Sequence, residues 1–523
     1  MNYELWDALG MLGSKLIIIG IDGATFKIIK PLVNKNELPT FKKLMNGGSW
    51  GELESTIPAV TCPAWPSFVT GKNPLNHGVY DWFSYNKDYS TFFFNSTSIR
   101  GKRYWDYLNE VGLLCGVINM PVSYPPQKIA GFMISGFLSS KDKDFTFPKY
   151  LKEELLRNGY ILERRPDSIS DIKFFKDMLK IFELRKRTTI RLMKSEEWDV
   201  LTVVFRPEPA QHRFWKKGKI RYLYQIYKAV DRILDEILKE AGEETNIILM
   251  SDHGFGTIPK FNVYFNTWLV NEGYQTVYKR PIFSIQKLHI FLHKFGLENI
   301  KKSLKKKAVS AVDITSGRVI WHKTKAWARI SEDTGFIFIN RKGRFKHGIV
   351  GARSYTKITE ELIKKLENLR NPKNNEKVIE KIWKKEELYN GYEIAPDIIF
   401  KIKPQYKGRQ FLEKDVFIEI PNYARIGQHS PKGIFIAFGP NIKKKKLETA
   451  KIIDLAPTIL ALYGLKSEDM DGQVLDVIKK EIKFKKKPKV SIRQDLEMHE
   501  ADVFDEKDKE KIMERLRALG YIE

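Results

Sequence analysis

Cysteine is scarce in this chain: Cys62 and Cys115 are the only two among 523 residues. A disulfide framework is thereby excluded, and the usage fits a reducing compartment. Long apolar runs are missing as well. Nowhere does the sequence reach the roughly 18 consecutive apolar residues that a membrane-crossing helix needs. The first apolar stretch, 16–21, is too short for a secretory leader and lacks its basic flank. We read it as a core strand of a cytoplasmic protein. Acidic residues are the minority, 64 Asp and Glu against 90 Lys and Arg, for a net charge of +26. The excess gathers in runs at 301–307, 443–446 and 479–489, without zinc-finger spacing, an aromatic RNP-like strand or a basic zipper nearby. Charge alone therefore does not make this a nucleic-acid protein. A generally Lys-rich composition accounts for it, and focusing of anionic substrates or attraction to an acidic membrane surface are the other uses of such a field.

What the chain does have is a core. An apolar fraction of 42% and an aromatic fraction of 12% mark a packed globular protein, long enough for one large domain with insertions or for two or three domains. Stretches 15–21, 114–120, 200–205, 246–251 and 433–438 are rich in Ile, Val and Leu with little alternation. Such runs are strands covered on both faces. Between them lie helical patterns at 39–45, 452–463 and 215–241, the last with Tyr222, Ile226, Ala229, Ile233 and Ile237 along one stripe. This is the α/β class: a mostly parallel central sheet with helices on both faces.

The pattern breaks from 273 to about 319, followed by a strand-like run at 326–340 and a helical one at 358–368. The expected organisation is a catalytic core at 14–274 and 426–475, an inserted cap or accessory region at 275–425, and a basic linker at 476–523 ending in a helix at 505–519. Within the insertion, Ile282, Ile285, Leu288, Phe291 and Phe295 interleave with Lys across 281–307. That block packs as a cap helix, or lies on anionic lipid.

Seven residues with oxygen or nitrogen donors fall where strands give way to turns. Asp22 follows 15–21, and open α/β sheets place ligands along that edge. Asp252-His253 repeats the position after 246–251, with Gly254 and Gly256 permitting a sharp turn. Glu208 and His212 follow 200–205; Pro209 suits a helix start, after which positions four apart share a face. His429 precedes 433–438. Thr61, with Pro63 two residues on, reads as a helix N-cap, and a hydroxyl there becomes a nucleophile when a metal stabilises its alkoxide. The bland alternatives are a capping Asp, a satisfied buried His and an incidental surface His. Carboxylates and imidazoles gathered from several strand ends are what a two-metal hydrolytic site needs. The loop through His77-Gly78 is expected to rim the site. Trp65, Tyr80, Trp82 and Phe83 either stack on a ligand or fill the core.

In this order along the chain, Ile21-Asp22-Gly23, Thr61-Cys62-Pro63 with Val69-Thr70-Gly71 and His77-Gly78, Glu208-x3-His212, Ser251-Asp252-His253-Gly254, and His429 ahead of Gly433-Ile434-Phe435-Ile436 resemble the type I phosphodiesterase/nucleotide pyrophosphatase family of the alkaline phosphatase superfamily. The resemblance runs over most of 14–475. It implies two divalent metals about 4 Å apart, zinc as the expected ion and manganese as the alternative. Asp22, Thr61, Asp252 and His253 would hold one, and Glu208, His212 and His429 the other. Thr61 would attack phosphorus, and a phosphothreonine would then be hydrolysed. The substrate would be a small anionic phosphate ester. Two departures stand out: the family generally has Asp where this chain has Glu208, and nucleotide pyrophosphatases have an Asn where this chain reads Val79-Tyr80-Asp81-Trp82. Competing readings are a phosphotransferase or mutase on the same scaffold, against which Thr at 61 weighs, and an anionic-surface binding protein with a decayed site.

Overall fold

Every residue of Leu16–Ile21 is buried, and so is every residue of Cys115–Met120, Val200–Phe205 and Asn246–Met250. Runs without a polar face can be silent only between two covering layers, and the computed structural model places them there. It describes residues 14–162, 170–278, 319–388, 395–484 and 503–519, in two compact units. One comprises the chain up to Trp82, Phe93–Gly256 and Gly427 onward; the other comprises Phe83–Phe92 and Thr257–Ile426.

In the first unit a ten-stranded sheet runs in the order Lys445–Lys446, Ser49–Glu54, Lys432–Phe438, Asn246–Met250, Leu16–Ile21, Val200–Phe205, Cys115–Met120, Gly131–Ser135 and Thr146–Phe147, with Ala450–Lys451 also on Ser49–Glu54. The central strands are parallel: Leu16–Ile21 pairs in that sense with Val200–Phe205 and with Asn246–Met250. Lys432–Phe438 is antiparallel to both of its neighbours.

Leu16 and Ile18 point into a core cluster shared with Trp65, Phe68, Tyr104 and Leu455, from the helices Thr61–Thr70, Tyr104–Glu110 and Leu455–Leu462. A separate layer outside that cluster contains Phe26–Asn34, Pro39–Gly47, Asp171–Ser195 and Ile220–Ala241. Its packing includes an ionic device. Asp231, buried on the apolar stripe of Ile220–Ala241, accepts hydrogen bonds from the Thr40 and Phe41 amides at 3.2 and 2.9 Å. It thus caps Pro39–Gly47, whose own N-cap residue, Leu38, supplies no side-chain bond.

Several expected boundaries move. The helix expected at 215–241 begins at Ile220, because Trp215 instead closes a short helix, Glu208–Phe214, and Gly218 turns left-handed at φ 81°. The linker expected from 476 is packed at its start, where Val477 and Ile482 join the core cluster. The terminal helix spans Glu506–Leu519.

In the second unit, Ala326–Ser331 and Thr334–Ile339 form a hairpin where a single strand-like run was expected, turning at Glu332 with φ 51°. They extend through Ile398–Ile402 to Ile379–Lys384 in a four-stranded antiparallel sheet. The helix expected at 358–368 starts earlier, as Ala352–Glu367. Residues 257–274 and 83–92, which the sequence reading assigns to the core, belong here. Strand pairing is one reason: Phe261–Tyr264 lies between Tyr406–Arg409 and Phe417–Glu419. Aromatic packing is the other: the Arg329 guanidinium lies 3.2 Å over the Phe83 ring, and Tyr89 stacks 3.9 Å from Trp321. The basic block at 281–307 lies outside the described residues. Among the described residues no helix is long and apolar enough to cross a membrane.

Candidate active site

Four of the parallel strands end at one edge of the first unit, and the residues just past three of those ends carry the polar chemistry. Asp22 follows Leu16–Ile21, its amide bonded to the Phe205 carbonyl at 2.9 Å. Gly23 then turns left-handed, at φ 73°, and donates its amide to Asp252 Oδ1 at 3.0 Å. Gln211 clamps the turn by donating to the Gly23 carbonyl at 2.8 Å. A Cβ on Gly23 would sit 2.4 Å from Gln211 Oε1, so only glycine fits. Gly254 is fixed by contact: its Cβ would lie 1.9 Å from the Lys432 carbonyl oxygen. His429 arrives on the short strand Gln428–Ser430.

The seven expected residues come together as two clusters, all in the first unit. In one, His253 Nε2 lies 3.2 Å from Thr61 Oγ1, 3.3 Å from Asp252 Oδ2 and 3.7 Å from Asp22 Oδ1. In the other, His212 Nε2 lies 2.6 Å from Glu208 Oε1 and 3.0 Å from His429 Nε2, with His429 Nε2 at 3.8 Å from the same Glu208 oxygen. The clusters adjoin, because the His253 and His429 rings stack with centroids 3.8 Å apart.

Both imidazoles are oriented from behind by main chain. His253 Nδ1 donates to the Gly254 carbonyl at 3.0 Å, and His429 Nδ1 donates to that of Ala59 at 3.2 Å. A carbonyl only accepts, so Nδ1 carries the proton and Nε2 presents its lone pair to the cluster.

Asp22 Oδ1, Glu208 Oε1 and Asp252 Oδ2 are buried without a hydrogen-bond partner among the described residues. Glu208 Oε1 is within ion-pair range of His212 but not aligned as a hydrogen bond. An orphaned buried acceptor costs about 1–3 kcal/mol, and more when charged. Burial and the nearby Asp22 charge raise the Asp252 carboxyl to about 7. Burial would raise Glu208 too, but His212, His429 and the Arg206 guanidinium outweigh it and keep that carboxyl well below its ordinary range. Burial pushes His253 down, against the charge of Asp252. Orphaned carboxylate oxygens and aimed imidazole nitrogens fit a divalent ion such as Zn2+ or Mn2+ in each cluster.

Some expectations are corrected. Thr61 is the first helical residue rather than the N-cap; Val60 takes that place without a side-chain bond, and the Thr61 hydroxyl faces His253 instead. His77 does not rim the site. Its ring is spent inside the fold, donating from Nε2 to Ser67 Oγ at 2.9 Å and accepting the Val79 amide at Nδ1, and burial pushes it down to about 3. Of the two readings left open for the aromatics, Trp65, Tyr80 and Trp82 take the core, and Phe83 is buried in the second unit. Sequence reasoning missed Gln211, which stands inside Glu208-x3-His212, and Arg206, two residues ahead of it. For Arg206, a guanidinium directly after a strand apolar but for Thr202 was the available signal.

A family model for type I phosphodiesterase / nucleotide pyrophosphatase matches residues 16–432. The chain belongs to that family. It is a phosphoric ester hydrolase of the alkaline phosphatase superfamily, within a family that is typically metal-dependent. Among solved structures it is similar to the murine ectonucleotide pyrophosphatase / phosphodiesterase 5, with a TM-score of 0.51 and 15% identity over 88% of this chain and 97% of that one. At that identity the likeness concerns the fold. No curated protein matches.

Proposed function

We propose that this family member cleaves phosphodiester or pyrophosphate-type bonds in small anionic substrates, with Thr61 as nucleophile and two divalent ions, zinc by preference and manganese as the alternative. Asp22, Thr61, Asp252 and His253 would hold one ion, and Glu208, His212 and His429 the other. Ions bound there would supply positive charge to the phosphoryl oxygens and acidify hydroxyls beside them. Thr61 Oγ forms a bond to phosphorus as the bond from phosphorus to the ester oxygen breaks, and the leaving alcohol departs with a proton. Water then cleaves the phosphothreonine, restoring the Thr61 hydroxyl and releasing the phosphoryl product. The first turn of Thr61–Thr70 brings the positive end of a helix to the same place.

One observation carries the reading: the Thr61 hydroxyl is fully buried and 3.2 Å from His253 Nε2, beside acid oxygens that lack partners. Metal analysis with a panel of phosphodiesters and phosphomonoesters, run on wild type and Thr61→Ala, tests it. We expect roughly two metal equivalents and a variant that keeps its metal but loses hydrolysis. Unchanged turnover in Thr61→Ala refutes the nucleophile; an active wild type without metal refutes the centre.

A further inference from the structure

We infer that Arg206 is a positioning residue, a fixed cation that aims one carboxylate of each cluster and thereby couples the two. The inference rests on the two-cluster reading above and concerns what turns the carboxylates toward their ions.

Arg206 stands one residue past Val200–Phe205, and Asp22 one residue past the neighbouring strand, where Ile21 pairs with Phe205. That register sets the two side chains next to each other. Arg206 Nε donates to Asp22 Oδ2 at 2.9 Å, and its Nη2 donates to Glu208 Oε2 at 3.2 Å. The other oxygen of each carboxylate, Asp22 Oδ1 and Glu208 Oε1, has no hydrogen-bond partner among the described residues. Those are the oxygens that face the imidazoles, Asp22 Oδ1 toward His253 and Glu208 Oε1 toward His212 and His429. A carboxylate tied at one oxygen is fixed in orientation, so the guanidinium turns the other oxygen of each acid toward the imidazoles.

Arg206 is itself held. It is 6% exposed, and its guanidinium lies 3.9 Å over the Phe137 ring, which Trp82 braces edge-on at 5.2 Å. Its charge offsets part of the repulsion among three buried acids. Because one rigid fork carries both bonds, a shift of either carboxylate is felt by the other. Lysine, a single flexible point charge, cannot span both. Glu208 has the reach to touch Arg206 with one oxygen and the imidazoles with the other.

Zinc titrations of the chelator-stripped full chain test this, with circular dichroism and melting of the metal-free form to confirm folding. We expect Arg206→Gln to weaken both binding constants about 10- to 100-fold, the range for residues that orient ligands. Arg206→Lys keeps the charge, supplies the second variant should the first fail to fold, and is expected not to restore both constants. Glu208→Asp leaves the Asp22–Arg206 bond in place and should weaken the constant of its own cluster most, with a smaller loss passed to the Asp22 cluster through Arg206. Wild-type constants in both Arg206 variants, or a loss confined to one cluster in both, overturn the inference while leaving the two-ion reading standing. A wild type that takes up no divalent ion overturns both.

Discussion

Replacing Asp252 with asparagine should stabilise the metal-free protein at alkaline pH while ruining its metal centre. In the folded, ion-free chain this carboxyl is raised from 3.8 to about 7, first by burial and then by Asp22. At roughly 1.4 kcal/mol per unit, ionising Asp252 costs the native state on the order of 4 kcal/mol relative to the unfolded chain. The sign follows from the direction of the shift. The native state holds the proton more tightly, so the penalty is absent below about pH 4, grows as pH rises through the unfolded value, and is complete above about pH 7. Asparagine removes the charge and keeps an oxygen for the Gly23 amide, now 3.0 Å from Asp252 Oδ1. Urea unfolding of chelator-treated wild type and Asp252→Asn should show the variant more stable by a few kcal/mol at pH 8, with the advantage shrinking toward pH 4. With saturating zinc the order should invert, because the variant loses the binding energy of the ion held by the Asp252 cluster while the wild type gains both. An advantage of equal size at pH 5 and pH 8, or none at pH 8, would refute the argument that charge crowding drives it.

Two further substitutions probe the frame. Gly23→Ala forces a side chain into φ 73° and onto Gln211; we expect about 1–2 kcal/mol of backbone cost plus the clash, and weaker metal uptake as Asp22 is displaced. A titration showing wild-type uptake would mean that this turn does not set Asp22. His77→Ala should cost about 2–4 kcal/mol by leaving buried partners unsatisfied. Burial pushes His77 down to about 3, so the native ring stays neutral while the unfolded chain's imidazole takes up a proton below about 6.5; the loss, read by melting, should therefore be larger at pH 8 than at pH 6, by about 1 kcal/mol. A loss as large at pH 6 as at pH 8, or larger, would contradict a neutral ring.

Strand ends were the most legible part of the chain. Largely apolar runs ahead of Asp22, Glu208 and Asp252 betray strands covered on both faces, and placing acids just past them follows from the geometry of open sheets. His429 was readable only by the company it keeps, since nothing local distinguishes it. Residues that act by support were harder. Gln211 announces itself only once Gly23 is its neighbour in space, and Arg206, though marked by its place after a strand, shows its part only once Asp22 and Glu208 lie beside it. His77 shows the opposite failure, a histidine in a glycine-rich loop whose partner, Ser67, sits on the far end of the helix that Thr61 begins. The limits of the second unit escaped because residues 257–274 owe their place to strands more than a hundred positions downstream.

The two imidazoles steered by Ala59 and Gly254 lean on carbonyls, which every amino acid supplies. No point substitution at either position can delete the acceptor; only a change in the path of the chain can. Sequence drift at Ala59 is therefore buffered in a way that side-chain partners such as Arg206 are not, whereas Gly254 is held to glycine by the Lys432 carbonyl. Among descendants of this gene, the tilt of the His429 ring should outlast the identity of the residue at 59.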